Sequence, residues 1–363
     1  MGPEVVDRRT LNRTLLARQW LHPVAPAGAS VHDVLEHLVG LQAQDVTAPY
    51  VGMWSRLPSS TPAEVGDALL DRSAVRIATL RSTIHLHTAA DALPVRRWTQ
   101  AVTENGLRSS RAAAWPLVDR DRLVREVRRL LQDAPVLADD LGRALTAHWP
   151  QVAPVDLQMF ARAFVPMVQT PPRGVWGSSG RTAYAAADDW LGGPGAAPDP
   201  AALVLRHLAA FGPASVRDVQ VWCGLTRLRE VTDRMDLRRY VDEDGVELLD
   251  TPDGELVDGD TPVPPLFVAP FDNLTLSHAD RRRVIDGEAR RIIASRNGIV
   301  PGTVLVDGFV AASWRVERGT LQVTPFGRLS RRRAAGLLRP GRQLLGMLLG
   351  ERAGEVEIRP AVT

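Results

Sequence analysis

The sequence has no lysine and a single cysteine, and both scarcities limit the chemistry available to the chain. All 44 basic residues among the 363 are arginine. An enzyme that forms a Schiff base needs a free amine, and arginine cannot supply one, so only the N-terminal amine would remain. The lone Cys223 allows no internal disulfide and no cysteine-rich metal site. No zinc-ligand spacing, phosphate-binding glycine loop or nucleophile elbow occurs, so we expect neither a metal nor a cofactor.

Long apolar runs are also missing. No stretch approaches the roughly 20 apolar residues that a transmembrane helix needs, and residues 1–11 contain no apolar signal-peptide core. We therefore expect a cytoplasmic protein with no membrane partner. The composition is 45% hydrophobic and 24% charged, which is ordinary for a globular protein. The length predicts two or three packed domains.

Acidic residues are absent from one long segment near the C-terminus. The net charge of the chain is only +2, but residues 318–350 contain no carboxylate. The same segment contains seven arginines: Arg318, Arg328, Arg331, Arg332, Arg333, Arg339 and Arg342. A solvated face and a polyanion-binding surface are equally compatible with such a block.

The first 110 residues show helices followed by a hairpin. Ser30, with Asp33 three residues later, predicts a capping box at the start of a helix. Apolar, strand-like runs follow at residues 75–77 and 84–87 and are joined by a polar turn. Helices closed by a two-stranded wing are typical of a winged helix, so residues 1–110 are predicted to form one.

The pattern recurs twice along the chain. We predict a second winged helix at residues 111–192 and a third at 198–260, separated by a linker that is rich in glycine, alanine and proline. In the third unit, Asp244 and Gly245 suit a type I′ hairpin turn, and Val175 is expected at a strand-like end of the second. The helices expected in these units cover residues 121–131, 138–147, 154–164, 201–211, 215–224 and 225–235.

Residues 261–363 form a region of a different kind. The expected elements are strands at 266–269, 303–310, 313–324 and 355–358, turns at Asp307-Gly308 and Arg318-Gly319, and a basic helix from about Ser330. The predicted fold class is therefore α+β and mainly helical, with tandem winged helix-turn-helix units followed by a C-terminal β-rich region.

Several short motifs together resemble one protein family. The motifs are Gln42-Ala43-Gln44-Asp45, Ala48-Pro49-Tyr50, Trp54-Ser55-Arg56, Arg81-Ser82-Thr83-Ile84-His85, Phe211-Gly212-Pro213-Ala214-Ser215, Trp222, Pro270-Phe271-Asp272-Asn273, Ser277-His278-Ala279-Asp280-Arg281 and Val306-Asp307-Gly308. In this order they resemble the azinomycin-resistance DNA glycosylases, the AlkZ-like branch of the winged-helix DNA glycosylase superfamily, and their YcaQ-type relatives. One departure is Ala312 before Ser313 and Trp314, where relatives usually have a glycine.

The resemblance implies a DNA glycosylase that hydrolyses the N-glycosidic bond of N7-alkylated purines, including bulky natural-product adducts or interstrand crosslinks. Its partner would be double-stranded DNA containing alkylated purines, so we expect it at the nucleoid, in DNA repair or in self-resistance to a genotoxic metabolite. The alternative is a non-catalytic winged-helix transcriptional regulator. Regulators usually dimerise on spaced half-sites, and because no heptad stripe is present we expect a monomer.

The resemblance also implies that Gln42 and Gln44 are the catalytic residues. Residues two apart face different sides of a helix, so both would reach one site only if a helix ends there. The alternative role for Gln42 is to cap backbone groups at that helix end. An amide is a poor general base, but a cationic N7-alkylpurine leaves as a neutral base, so orienting water and stabilising an oxocarbenium-like sugar would suffice.

Further candidates surround this pair. Asp45, Thr83 and His85 are auxiliary candidates, although a histidine that is hydrogen-bonded in the core is the alternative for His85. Arg81, Thr83 and His85 alternate along a predicted strand and would share a face towards a phosphate or sugar. The hairpin 314–324 would lie along the minor groove. The predicted DNA-binding residues are Arg56, Arg81, Arg315, Arg318, Arg331, Arg332 and Arg333.

Overall fold

The computed structural model describes residues 4–293 and 300–361, and all structural statements refer to these ranges. The α-helices are α1 (Arg8–Arg18), α2 (Val31–His37), α3 (Ala48–Arg56), α4 (Pro62–Leu70), α5 (Ala89–Trp98), α6 (Gln100–Ser110), α7 (Arg120–Leu131), α8 (Ala138–Leu145), α9 (Pro154–Phe164), α10 (Ala187–Trp190), α11 (Pro200–Phe211), α12 (Val216–Cys223), α13 (Arg229–Thr232), α14 (Asn273–Leu276), α15 (Gly287–Ile293) and α16 (Arg331–Leu349). The strands are β1 (Glu4–Val6), β2 (Leu41–Gln42), β3 (Ala74–Ala78), β4 (Ile84–Thr88), β5 (Val136–Leu137), β6 (Met167–Gln169), β7 (Ala183–Ala186), β8 (Arg238–Asp242), β9 (Glu247–Asp250), β10 (Leu266–Val268), β11 (Gly302–Val306), β12 (Phe309–Glu317), β13 (Thr320–Pro325) and β14 (Val356–Ile358).

The first two predicted units share one six-stranded sheet with the strand order β2-β4-β3-β6-β7-β5. Strands β3 and β4 form the expected hairpin, with Ala74 opposite Thr88. The other edge of β3 pairs with β6, where Arg76 lies opposite Gln169. Main-chain hydrogen bonds therefore connect the first unit to the second.

A three-stranded sheet contains β1, β8 and β9, so the N-terminal strand lies in the sheet of the third predicted unit. The predicted type I′ turn between β8 and β9 is wrong, because such a turn needs two left-handed residues and only Gly245 has a positive φ, 76°. The Asp242 carboxylate accepts the N–H groups of Asp244 (2.9 Å) and Val246 (2.8 Å). These bonds stabilise the longer loop.

Strands β10 to β14 form a five-stranded sheet in chain order. Both turns predicted here are confirmed. Asp307 and Gly308 have φ values of 52° and 80°, and Arg318 and Gly319 have values of 50° and 83°. Two successive left-handed residues match the twist of a tight hairpin. Helix α16 packs its apolar face against this sheet.

Helix prediction succeeded where a capping residue or a first-turn proline marks the helix start, and failed where the backbone reverses. The predicted capping box starts α2, and α9 spans the predicted residues 154–164. The expected helix at 225–235 is wrong, because only α13 is helical there. Gly224 (φ 85°) and Arg227 (φ 64°) are left-handed and interrupt it. Val175, expected at a strand end, lies in a bend.

The largest buried cluster joins the first, third and C-terminal parts of the chain. Leu16 of α1, Trp222 of α12 and Leu305 of β11 all belong to it. A second buried cluster, around Phe160, forms most of the core of residues 111–192. The first unit is therefore packed on several sides, which holds its short strands in place. Within the described ranges, no helix combines the length and apolar character needed to cross a membrane.

Candidate active site and DNA-facing surface

The Gln-Ala-Gln motif begins on a short strand and not at the end of a helix, so the predicted helix end is wrong. In β2, Leu41 pairs with Leu86 and Gln42 with His85, and the Ala43 N–H continues the pairing to the Ile84 carbonyl at 2.7 Å. Gln44 lies in the bend that follows, and its side chain reaches back to the first residue of β4. Both glutamines therefore contact the β3–β4 hairpin without a helix end.

The chain enters this strand through a left-handed turn. After α2, Val39 and Gly40 have φ values of 53° and 91°. A Cβ at Gly40 would lie 2.8 Å from the Leu86 carbonyl oxygen, so only glycine allows this close approach. The Asn273 side chain donates to the Gly40 carbonyl at 2.9 Å. Glycine thus allows the motif to reach the sheet edge.

The two glutamine side chains differ in exposure but are held in the same way. Gln42 is buried and Gln44 is exposed. The Gln42 Oε1 accepts from Arg81 Nη2 at 3.1 Å, and the Gln44 Oε1 accepts from the Ile84 N–H at 3.3 Å. Guanidinium and backbone N–H groups only donate, so each amide must present its oxygen to them. Each amide nitrogen is left for another acceptor.

Arg81 is held in place by the protein itself. Its φ is 54°, a left-handed conformation, so it does not lie on a strand with Thr83 as predicted. Its Nη1 donates to the Trp222 carbonyl at 2.5 Å, and burial lowers its pKa to about 10. The contact that the structure shows is therefore with Gln42, while a contact with phosphate stays a prediction.

A second arginine, Arg76, holds the middle of the motif and was missed at the sequence level. Its Nη2 donates to the Ala43 carbonyl at 2.8 Å and to Gln169 Oε1 at 3.2 Å. The side chain is buried, and burial lowers its pKa to about 10. An arginine within the apolar run of β3 was the signal that would have identified it, because a buried guanidinium needs acceptors.

The auxiliary candidate Asp45 caps the next helix. Its Oδ1 accepts from the Thr47 N–H and hydroxyl, each at 2.7 Å, and from the Ala48 N–H at 3.3 Å. These bonds satisfy free N–H groups at the start of α3. The carboxylate is exposed, and its auxiliary role in the chemistry stays a prediction.

Thr83 and His85 belong to the scaffold of the site. The Thr83 hydroxyl donates to the Leu80 carbonyl at 3.1 Å. His85 is fully buried, its Nδ1–H donates to the Thr83 carbonyl at 3.0 Å, and burial keeps its pKa well below the usual value. A neutral histidine without exposed surface cannot contact a phosphate. The predicted contact of His85 with DNA is therefore wrong, and the alternative of a core histidine fits.

The predicted DNA contact of Arg56 is also wrong. Arg56 has no exposed surface, and its two terminal nitrogens donate to the Asp272 carboxylate at 2.8 and 2.9 Å. Gln19 accepts a further bond at 3.1 Å. A buried guanidinium needs such partners, and this pair links α3 to the start of α14.

The other predicted DNA-binding arginines are exposed, but they lie in two separate places. Arg315 and Arg318 belong to the β12–β13 hairpin, where Arg315 pairs with Glu317 at 3.2 Å and Arg318 forms the tip. The Gly354 N–H donates to the Gly319 carbonyl at 2.9 Å, which brings this tip beside the C-terminal end of α16. The residues at the other end of α16, in its first turn, are Arg331, Arg332 and Arg333.

Within residues 4–293 and 300–361, no group of three or more histidine, cysteine, aspartate or glutamate side chains is arranged to hold a metal ion.

Comparisons with known proteins identify relatives along nearly the whole chain. A family model described as DNA glycosylase AlkZ-like matches residues 35–347. The interstrand DNA cross-link repair glycosylase of Streptomyces sahachiroi is 26% identical over 341 residues, which cover 86% of this chain and 88% of that protein. The solved structure of Streptomyces sahachiroi DNA glycosylase AlkZ matches with a TM-score of 0.82 at 19% identity and covers 98% of this chain and 100% of that one.

The structural match confirms the predicted α+β fold class, and the winged-helix detail stays a prediction. The sequence matches support a DNA glycosylase that acts on DNA over the non-catalytic regulator. The family membership predicted from the sequence motifs is confirmed: the chain belongs to the AlkZ-like DNA glycosylase family.

Proposed function

We propose that this glycosylase hydrolyses the N-glycosidic bond of N7-alkylated purines in double-stranded DNA, with Gln42 and Gln44 as the catalytic residues. The observation that carries the proposal is that two primary amides, two residues apart, each have their oxygen held by a donor of the β3–β4 hairpin, Arg81 for Gln42 and the Ile84 N–H for Gln44. The related protein of Streptomyces sahachiroi is named for repair of interstrand DNA crosslinks. Bulky adducts and crosslinks therefore fall within the proposed substrate range.

The chemistry suits amides because the leaving base is already cationic. When the bond between C1′ and N9 breaks, the electron pair neutralises the purine, and an oxocarbenium-like sugar remains. A water molecule then forms the new bond to C1′ and loses a proton to solvent. No strong base is needed, so oriented dipoles suffice to hold the water and stabilise the developing charge.

Each amide retains the hydrogen-bonding capacity that this role requires. A carbonyl oxygen has two lone pairs, and the bonds from Arg81 and Ile84 occupy one on each glutamine. The second lone pair can accept a proton of the water, whose oxygen lone pair then stays free to attack. Gln44 is exposed and meets solvent directly, whereas the buried Gln42 is the more firmly fixed of the two.

We further propose that the enzyme acts as a monomer and leaves the abasic strand intact. Glycosylases that also nick the strand attack C1′ with an amine and pass through a Schiff base. The chain has no lysine, and an arginine guanidinium stays protonated, so only the N-terminal amine could form a Schiff base. We propose water as the nucleophile instead, and strand cleavage would then need added alkali or another enzyme.

The test is release of free base from a duplex containing N7-methylguanine, with sodium borohydride added to a parallel sample. We expect free N7-methylguanine, an intact strand until alkali is added, and no protein–DNA adduct. A protein that binds damaged and undamaged duplex but releases no base would contradict the proposed reaction. A covalent adduct that survives denaturation would contradict the water nucleophile.

A further inference from the structure

A pocket of about 230 Å³ opens directly beside the Gln-Ala-Gln motif. Its walls come from the residues that follow the motif, from the loop after β6 and from the C-terminal end of α16. The lining side chains are Val46, Thr47, Tyr50, Trp176, Leu348 and Arg352. We call this space the side pocket. The proposed hydrolysis does not use this pocket.

The walls of the side pocket are aromatic and well held. The rings of Tyr50 and Trp176 lie 4.7 Å apart at 51°, and the Tyr50 hydroxyl donates to the Gly174 carbonyl at 2.6 Å. Burial raises the pKa of Tyr50 to about 12, so its ring carries no charge at neutral pH. Flat, uncharged walls of this kind favour apolar or aromatic ligands.

The pocket and the catalytic motif are fixed to the same arginine. Gly174 packs so closely on Arg76 that a Cβ there would lie 2.5 Å from its Cδ atom, and Arg76 also holds the Ala43 carbonyl. Thr47 is three residues after Gln44, so their Cα atoms are at most about 11 Å apart. The side pocket therefore lies within reach of a large substituent on a purine that is held at the motif.

Arginines lie at and near the rim of the side pocket. Arg352 is exposed at the edge, and its carbonyl lies beside Gly319, next to Arg318 at the hairpin tip. Guanidinium groups at this edge suit the phosphates of a duplex. An apolar cavity with a basic rim fits an apolar group that is attached to DNA.

We propose that the side pocket receives the apolar or aromatic substituent of a bulky N7-alkylpurine while the glutamines act at C1′. The inference rests on the proposed glycosylase function and specifies its substrate class. It assigns Trp176 and Tyr50 to recognition of the adduct and leaves the cleavage chemistry to the motif. Excision of small lesions should therefore not depend on the pocket.

The test compares two substrates, a duplex with N7-methylguanine and one with a guanine N7-linked to a polycyclic aromatic group, under single-turnover conditions. Trp176→Ala removes a wall, and Ser178→Trp adds bulk at the exposed rim of the same pocket. We expect each variant to excise the bulky adduct at least about tenfold more slowly. Excision of N7-methylguanine should stay within about twofold of the parent.

Trp190→Ala is the matched control, because Trp190 is a half-buried tryptophan in a different apolar cluster. It should leave the ratio of the two rates unchanged. If Trp176→Ala lowers the thermal stability, the result with Ser178→Trp decides the test, because that substitution removes no packing contact. Equal loss on both substrates, or loss on neither, would overturn the side-pocket inference. Absence of base release from both substrates by the parent protein would instead overturn the proposed function.

Discussion

At the scale of single residues, buried and half-buried charged side chains surround the Gln-Ala-Gln motif. Arg81 and Arg76 contact the motif directly, at Gln42 and at the Ala43 carbonyl. Each guanidinium fixes the oxygen atom to which it donates, so the two arginines determine the orientation of the motif. They position the amides, and they are expected to contribute to the rate rather than to DNA affinity.

Removal of the Arg81 guanidinium tests this positioning. Arg81→Met should slow single-turnover excision of N7-methylguanine by roughly tenfold, because the Gln42 amide becomes free to rotate. A purely positioning role leaves the affinity for the damaged duplex unchanged, whereas the predicted phosphate contact of Arg81 would lower it as well. Arg81→Lys, which keeps a cationic donor, should recover part of the rate. The rate and the affinity are measured separately, by quenched base release and by fluorescence anisotropy.

Arg96→Met is the matched control, since Arg96 is a buried arginine that donates to the Ala163 carbonyl at 2.7 Å, away from the motif. It should cost stability without slowing excision in the folded fraction. An Arg81→Met rate equal to that of Arg96→Met would show that the contact with Gln42 has no catalytic consequence.

His87, on the strand beside the motif, should make stability depend on pH. Burial is the main reason that its pKa is lowered to about 4, with Asp91 raising it and Arg206 lowering it. In the unfolded chain a histidine pKa is about 6.5. Between these values only the unfolded chain binds the proton, so stability falls as pH falls, by about 1.4 kcal/mol per pH unit for this residue.

His87→Gln should therefore reduce the pH dependence of the free energy of unfolding between about pH 6.5 and 4. Urea denaturation at several pH values within this window measures the slope for the parent and the variant. Above pH 7 the histidine is neutral in both the folded and the unfolded chain, so the slopes of the parent and the variant should be equal there. Parallel plots throughout the window would show that the His87 ring is not kept neutral by burial.

At the scale of elements, local signals were predictable from the sequence and long-range pairing was not. The capping box of α2 and the two turns after β11 and β12 depend on neighbouring residues, so their pattern is visible in the chain. The extended form of residues 41–43 depends on pairing with β4, and Gly40 was the local signal for the turn into it. Sequence reasoning therefore selected the two glutamines as candidates but did not predict the backbone that carries them.

The same reasoning explains the errors among the arginines. Arg56 and Arg318 were both predicted to bind DNA, but one pairs with Asp272 inside the protein and the other forms an exposed hairpin tip. Asp272 is more than 200 residues away in the chain, and no local pattern reveals such a partner. Exposure of the basic block, in contrast, was predictable for Arg331 to Arg333 because that segment contains no carboxylate.

The first turn of α16 carries three exposed arginines and no acidic residue. Cations at a helix N-terminus are unfavourable, so a phosphate contact is a physical reason for this arrangement. Replacing Arg331, Arg332 and Arg333 by alanine should reduce the slope of log affinity against log salt by up to about 2.7, or about 0.9 for each lost phosphate contact. The slope is measured on undamaged duplex.

The matched control replaces three exposed arginines of the second unit that pair with carboxylates: Arg128, Arg129 and Arg143. This control removes the same formal charge but should leave the slope nearly unchanged. Equal slopes for the parent and the Arg331–Arg333 variant would mean that this end of α16 does not touch DNA.

At the scale of the whole molecule, the six-stranded sheet and helix α16 set the distances between the motif, the side pocket and the arginines of the first turn of α16. The β3–β6 pairing holds the motif against the loop of the side pocket, and α16, which is about 28 Å long, separates that pocket from the arginines at its N-terminal end. A lesion at the glutamines and a phosphate at Arg331 would therefore lie several base pairs apart. Such an extended contact within one chain fits the proposed monomer.

Single-turnover release of N7-methylguanine by Gln42→Ala, Gln44→Ala and the double variant tests the central claim most directly. Each single change should slow release at least about tenfold, about 1.4 kcal/mol of barrier. Because both amides are proposed to hold the same water, the double variant should lose less than the product of the single losses. Gln151→Ala, at an exposed glutamine away from the motif, should match the parent. A double variant that releases base as fast as the parent would contradict the role of the two amides in hydrolysis.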